Sequence, residues 1–202
     1  SEHFVFTLEA IKHGKHVLCE KPFTMNAYES MVLIDLAQTS KVFLMEAFMY
    51  RTHPQTANIL NNLNFISDCN KKILIEASFG FQAEVPGDHR LRNPNLGGGA
   101  ILDVGCYPLT MCKLIAGHLQ GLPFADPLNL KAEGMLDETG VDLKSNAHLI
   151  FADNIEAKIS CAINEELSNN LVISSNSKSI TISEPWHCGQ FQDGQSSIVL
   201  AD

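Results

Sequence analysis

Neither G-x-G-x-x-G nor G-x-x-x-x-G-K-[ST] occurs anywhere in the 202 residues, so no glycine-rich phosphate loop can be read from this chain. C-x-x-C spacing is missing as well. The six cysteines (Cys19, Cys69, Cys106, Cys112, Cys161 and Cys188) are scattered, which argues against a zinc site and against a redox dithiol. Several of them fall in apolar runs, where a free thiol behaves as a small buried hydrophobe. Basic residues are in short supply: 14 Lys+Arg stand against 23 Asp+Glu, for a formal net charge of −9. That balance argues against a nucleic-acid partner, which needs a basic face to displace counterions. No uninterrupted apolar run reaches the about 18 residues that span a bilayer. The best candidate, Val42 to Tyr50, is broken by Glu46, so no membrane partner is expected. The opening SEHFVFTLEA lacks the basic and apolar parts of a signal peptide, and there is no N-x-[ST] sequon. A reducing, cytoplasmic setting is the expectation.

What is present suits a folded globular chain. Hydrophobic residues make up 45% and charged residues 18%, at a length that can bury one core or two small ones. Phe4, Leu8 and Ile11 share one face of a helix that Gly14 stops. A short strand, His16 to Cys19, follows. Asn26 with Glu29 three residues on marks the start of a second helix, with apolar positions Met31, Ile34, Leu36 and Ala37, running to about Ser40. Lys41 to Tyr50 is apolar on both faces up to Glu46, the pattern of a strand covered on both sides in a parallel sheet.

The pattern changes near Arg51. After a helix around Pro54 to Asn64, Lys72 to Phe81 alternates Ile73, Ile75, Ala77 and Phe79 against a mixed face. Two hairpins follow, turning at Asp153-Asn154 and at Asn176 to Ser179. The expected fold is therefore α/β plus α+β. Residues 1–50 would be the later part of a Rossmann-type parallel sheet, and residues 51–202 a mostly antiparallel open-sheet domain.

Three stretches could carry chemistry. In HGKHVLCEKPFT an apolar strand ends abruptly in Glu20-Lys21-Pro22. A lysine at a strand end is ordinarily solvated, yet ligands in open α/β sheets bind just outside the carboxyl ends of the strands. Pro22 stiffens the backbone there and is a candidate for a cis bond. In LGGGAILDVGCYPL three glycines allow a tight turn and close approach, and Asp103 and Tyr107 lie four residues apart. If the segment opens a helix running to Ala116, both side chains share one face. The bland alternative is a glycine turn, a capping Asp and a core Tyr. In EAFMYRTHPQ, Glu46 inside an apolar strand needs a partner. Arg51 and His53 follow it, and Arg90 and Arg92 precede the glycines; these cations could hold an anionic cofactor group or only neutralise carboxylates.

HGKHVLCEKPF, EAFMYRTHPQ and GGGAILDVGCYP, in this order, resemble segments of the Gfo/Idh/MocA family of nicotinamide-dependent oxidoreductases. The similarity is strongest to the branch of dimeric dihydrodiol dehydrogenase and NADP-dependent D-xylose dehydrogenase. VDLKSNAHLIFADN and ITISEPWHC extend it along nearly the whole chain. The resemblance implies hydride transfer from the CH–OH group of a sugar or cyclic trans-diol to NADP, with NAD as an option, in a homodimer. It makes Lys21 the lysine beside the nicotinamide and the reacting hydroxyl, Tyr107 the general acid/base, and Asp103 a substrate-positioning carboxylate. Glu20, Lys21, Pro22 and Arg51 would line the cofactor. A nearby ammonium would favour phenolate and lower the tyrosine pKa from about 10 toward neutrality.

One departure qualifies this. Family members begin with a strand and a glycine-rich turn that cradles the pyrophosphate. On this resemblance the chain starts after about half of the nucleotide domain and stops at DGQSSIVLAD within the second sheet, so a fragment is expected. The competing readings are a non-catalytic dinucleotide-binding regulator and an inactive remnant. A regulator has no need of Lys21, Asp103 and Tyr107 together.

Overall fold

The computed structural model describes residues 2–66, 71–188 and 198–201. Cys69 lies outside the described residues, as does the whole DGQSS stretch. Helix α1 (His3–Lys12) ends as expected: Gly14 turns at φ +66°, and the Lys15 amide folds back 3.0 Å onto the Ala10 carbonyl. Strand β1 (Val17–Glu20) pairs in parallel with β2 (Leu44–Ala47), Val17 opposite Leu44 and Glu20 opposite Ala47. Helix α2 (Ala27–Ser40) links them. Its cap is local chemistry: Asn26 Oδ1 accepts from the Glu29 amide at 3.0 Å. The Glu29 carboxylate returns to the Met25 amide at 3.2 Å, one residue earlier than in the standard box.

Two expectations fail in this unit. Helix α2 buries Leu33 and Ala37 against Ile11, Phe4 and Leu8 of α1, and leaves Met31 and Ile34 exposed. The row that faces α1 decides burial, not the apolar character of each position. Two-sided cover of Lys41 to Tyr50 is also not found, because all four positions of β2 are only half-buried and Phe43 just before it is 59% exposed. Strand β2 is shorter than expected and gives way to a 3-10 turn, Met49–Thr52; Phe48 and Tyr50 pack into the larger core beyond it.

That larger core lies on one face of a seven-stranded sheet of order β4-β5-β6-β3-β7-β8-β9. Its strands are β3 (Ile73–Gly80), β4 (Asn129–Leu136), β5 (Asp142–Ile150), β6 (Ile155–Ala162), β7 (Leu171–Ser175), β8 (Lys178–Ile182) and β9 (Ile198–Ala201). Only β3 and β6 run parallel; every other pair is antiparallel. Ile73, Ile75, Ala77 and Phe79 of β3 are buried while Glu76 is exposed, as the alternation implies. The β5–β6 hairpin turns on Asp153 and Asn154, both at φ +58°. The β7–β8 turn is tighter than expected, since β8 already begins at Lys178.

Helix α3 (Pro54–Asn62) and helix α4 (Cys106–Leu119) cover this face. Met111 and Ile115 of α4 are fully buried, each contributing about 1.5–3 kcal/mol by burial. A π-helical turn, Ile101–Gly105, precedes α4. Gly105 is needed there, because a Cβ on it would sit 2.8 Å from Cys161 Sγ of β6. The helical stretch Pro94–Leu119 is long and apolar enough to cross a membrane by length and composition, which uninterrupted apolar runs did not indicate. Its buried side chains belong to the larger core.

Candidate functional site

Lys21 is delivered by the backbone on either side of it. The Lys21–Pro22 bond is cis, the Pro22 carbonyl accepts from His3 Nδ1 at 2.8 Å, and the Phe23 amide donates to Glu46 Oε1 at 2.7 Å. Glu46, which needs a partner inside an apolar strand, finds a backbone N–H. Burial raises its pKa, and the Phe23 amide opposes that rise.

From this turn the Lys21 ammonium reaches the π-helical turn. Nζ donates to the Asp103 main-chain carbonyl at 2.5 Å and lies 3.5 Å from Asp103 Oδ1. Arg90 Nη1 contacts the same Oδ1 at 3.2 Å. Lys21 also stands 5.4 Å from the centroid of the Tyr107 ring. The three residues singled out by the sequence thus meet in space, Lys21 from the end of β1, Asp103 from the π turn and Tyr107 from the first turn of α4.

Tyr107 is wedged edge-on against Phe48 and Phe79, with ring centroids 5.3 and 5.2 Å away. Its pKa is pushed up to about 12, first by burial and then by the neighbouring Cys106, Glu20 and Asp103. This overturns the expected depression. The ammonium that was to favour phenolate is engaged by Asp103, and a 5% exposed phenol holds its proton.

Two cavities flank Tyr107, sharing it and Met49. One, of about 300 Å³, is a shelf at the carboxyl ends of β1 and β2, lined by Leu18, Met45, Ala47, Glu20 and Thr52. The other, of about 420 Å³, is lined by Lys21, Arg90, Asp103, Phe79, Asn169 and His187. Glu20 thus joins the shelf. Pro22 lines neither cavity, and neither does Arg51, whose guanidinium lies 4.5 Å from the Phe124 ring centroid. Arg92 is bound to Asp137 and Glu138 at 2.8 and 3.3 Å, so it neutralises carboxylates. The glycine triplet approaches its own chain. A Cβ on Gly98 would meet the Arg90 and Leu91 carbonyls within 2.8 Å, and one on Gly99 (φ +108°) would meet Asp142 Oδ1 at 2.2 Å. Asn169 and His187 escaped sequence reasoning, since only the order of strands brings them beside Tyr107.

Residues 1–48 match the Gfo/Idh/MocA oxidoreductase family, NAD-binding Rossmann fold. The chain is 35% identical over 174 residues to trans-1,2-dihydrobenzene-1,2-diol dehydrogenase of Xenopus tropicalis, covering 85% of this chain and 49% of that protein. Over 127 residues it is 37% identical to D-xylose 1-dehydrogenase (NADP(+)) of Hypocrea jecorina, covering 59% and 32%. The chain is similar to Gfo/Idh/MocA oxidoreductases. It spans about half the length of the curated relatives, or less. An aldose-aldose oxidoreductase from Caulobacter crescentus, complexed with glycerol, shares the fold at TM-score 0.80 and 23% identity, over 100% of this chain and 60% of that one. A 3-ketoreductase from Actinomadura kijaniata, in complex with NADP and TDP-benzene, does so at TM-score 0.76 and 24% identity, over 99% and 62%.

The shelf is mainly apolar and lies at the ends of two parallel strands. Leu18, Met45, Ala47 and Met49 supply its apolar surface, and Tyr107 lines it as well.

Proposed function

We propose that this chain carries the reacting half of an NADP-dependent oxidoreductase that interconverts the CH–OH group of a sugar or cyclic trans-diol with its carbonyl. The observation that carries the reading is the meeting of Lys21, Asp103 and Tyr107 in the larger cavity, with Tyr107 also lining the shelf. Leu18, Met45, Ala47 and Met49 would hold the nicotinamide on the shelf, with Glu20 at its rim. When bound, that ring exchanges a hydride with the substrate carbon.

The chain's own residues handle the proton and the orientation. A substrate in the larger cavity would present its reacting oxygen to Tyr107 and Lys21. In the reducing direction the neutral phenol gives its proton to that oxygen, and the ammonium stabilises the charge developing there. Asp103, held by Lys21 and Arg90, is placed to accept from a second hydroxyl. Aromatic Phe79 and Tyr107 provide a surface for the ring of a cyclic substrate.

The test follows absorbance at 340 nm with NADP or NAD and either D-xylose or trans-1,2-dihydrobenzene-1,2-diol. NADPH formation with one of these substrates is the expected result. No turnover with either, together with no quench of tryptophan fluorescence by NADPH at Trp186, would sink the reading.

A further inference from the structure

The larger cavity has one wall that the proton chemistry does not use. Lys21 and Arg90 hold Asp103, and Asn169 closes its side-chain amide on Gly80, accepting from the N–H at 2.7 Å and donating to the carbonyl at 2.9 Å. His187 lines the same cavity and is committed to neither task. Its Nδ1 lies 3.8 Å from Glu184 Oε2, within ion-pair range but too long for a hydrogen bond. Among the described residues, its Nε2 has no hydrogen-bond partner.

The imidazole is nevertheless held in place. Its ring stands edge-on to Phe79 at 88°, with centroids 5.5 Å apart. Just before it in the chain, the Glu184 carbonyl accepts from Gln55 Nε2 of α3 at 3.2 Å. Trp186 Nε1 donates to the Ser78 carbonyl of β3 at 2.8 Å, and the Trp186 ring stacks on Phe79. Gln55 and Trp186 are both buried, so the turn carrying His187 is tied to the sheet and to α3 without a ligand.

We infer that His187 is a specificity-determining residue: it binds a hydroxyl beyond the two that Tyr107 and Asp103 engage, and so selects an aldose over a cyclic diol. The inference rests on the reaction proposed above. A trans-diol spends one hydroxyl at Tyr107 and Lys21 and the other at Asp103. The rest of it is hydrocarbon, which would cover the imidazole and leave its nitrogen unpaired. An aldose ring carries further hydroxyls, each both donor and acceptor, so either tautomer finds a partner. Glu184 on the Nδ1 side favours the proton there, which leaves Nε2 to accept. A site built for a hydroxyl turns away the analogue that lacks it, because the polar group is left buried and unpaired.

Two measurements test this, one with turnover and one without. Initial rates with NADP are compared for D-xylose and trans-1,2-dihydrobenzene-1,2-diol in native protein, His187→Phe and His187→Gln. In His187→Phe the ratio of kcat/KM for D-xylose to that for the diol should fall about tenfold, the scale of one hydrogen bond, with the loss for D-xylose in KM rather than kcat. His187→Gln keeps an acceptor and should recover most of the ratio, whereas a role confined to packing on Phe79 would be restored by Phe instead. The second measurement follows the His187 ring nitrogens by proton–nitrogen correlation NMR without cofactor, their signals identified by loss in His187→Gln. D-xylose should shift them saturably and the diol should not. A ratio unchanged in His187→Phe overturns the assignment and leaves the reaction standing, as does a native protein that turns over the diol alone. Ring signals that ignore D-xylose overturn it whether or not turnover is seen. A saturable shift without turnover has the opposite meaning: the hydroxyl site stands and the proposed reaction falls.

Discussion

At Tyr107 the phenol lies between Phe48 and Phe79 with its proton on at neutral pH, because its pKa is raised to about 12. Such a group is ready to act as an acid and becomes a base only as pH rises. The two directions of the proposed reaction should then differ. Oxidation of the alcohol should rise with pH at a slope of about one log unit per pH unit from 7 toward 10, while reduction of the carbonyl should stay level over the same range. Tyr107→Phe should lower both by about 10²–10⁴-fold, the usual contribution of a positioned acid or base. Initial rates in both directions check this, and an oxidation rate that ignores pH would remove Tyr107 from the proton path. The bound state matters here: a cofactor whose nicotinamide carries positive charge would favour phenolate, so the slope is the quantity to read rather than one midpoint.

The π turn and α4 act as one element that carries Asp103 and Tyr107, and its height above the sheet is set at Gly105. Adding a methyl group there would place a carbon 2.8 Å from Cys161 Sγ and 3.3 Å from its Cβ. Gly105→Ala should therefore cost about 1–3 kcal/mol, as overpacking in a filled core does. Cys161→Ala in the same chain should return part of that loss, a coupling that urea unfolding of the two single variants and the double variant measures. Additive losses would mean the helix is not seated on Cys161. Elements of this kind are legible in sequence only where their causes are local. Asn26 and Glu29 announced α2 because the cap closes within four residues, and Asp153-Asn154 announced a hairpin because the left-handed turn needs such residues. Met31 and Ile34 misled because burial on α2 is decided by α1, and β4 went unread because all of its positions are exposed and no alternation marks it. The site shows the same division. EKP, Asp103 and Tyr107 were legible through motif resemblance. The raised pKa of Tyr107 was not, because it comes first from burial between Phe48 and Phe79, which only the folded chain brings around the ring.

At the scale of the whole molecule, the larger core holds several acidic groups in their neutral forms. Burial raises the thiols of Cys106 and Cys161 to about 12 and that of Cys188 to about 11, from an ordinary 9.0. Cys112 and Tyr50 are shifted upward as well, and Tyr107 joins them at about 12 from an ordinary 10.0. A folded-state pKa above the unfolded value means that the stabilisation is fully present below the unfolded value. It is lost as pH rises toward the folded one, since unfolding then releases protons. The window is thus from about 9 to about 12, above the range where carboxylates matter. The urea midpoint should hold between pH 7 and 8.5 and fall clearly by pH 10.5. Surface repulsion in a chain of formal charge −9 would also grow there, but it is screened by salt. Repeating the measurement in 1 M NaCl separates the two causes at a Debye length of about 3 Å. A fall that persists in salt belongs to the buried thiols and phenols, and a fall that salt abolishes would assign alkaline sensitivity to the surface instead.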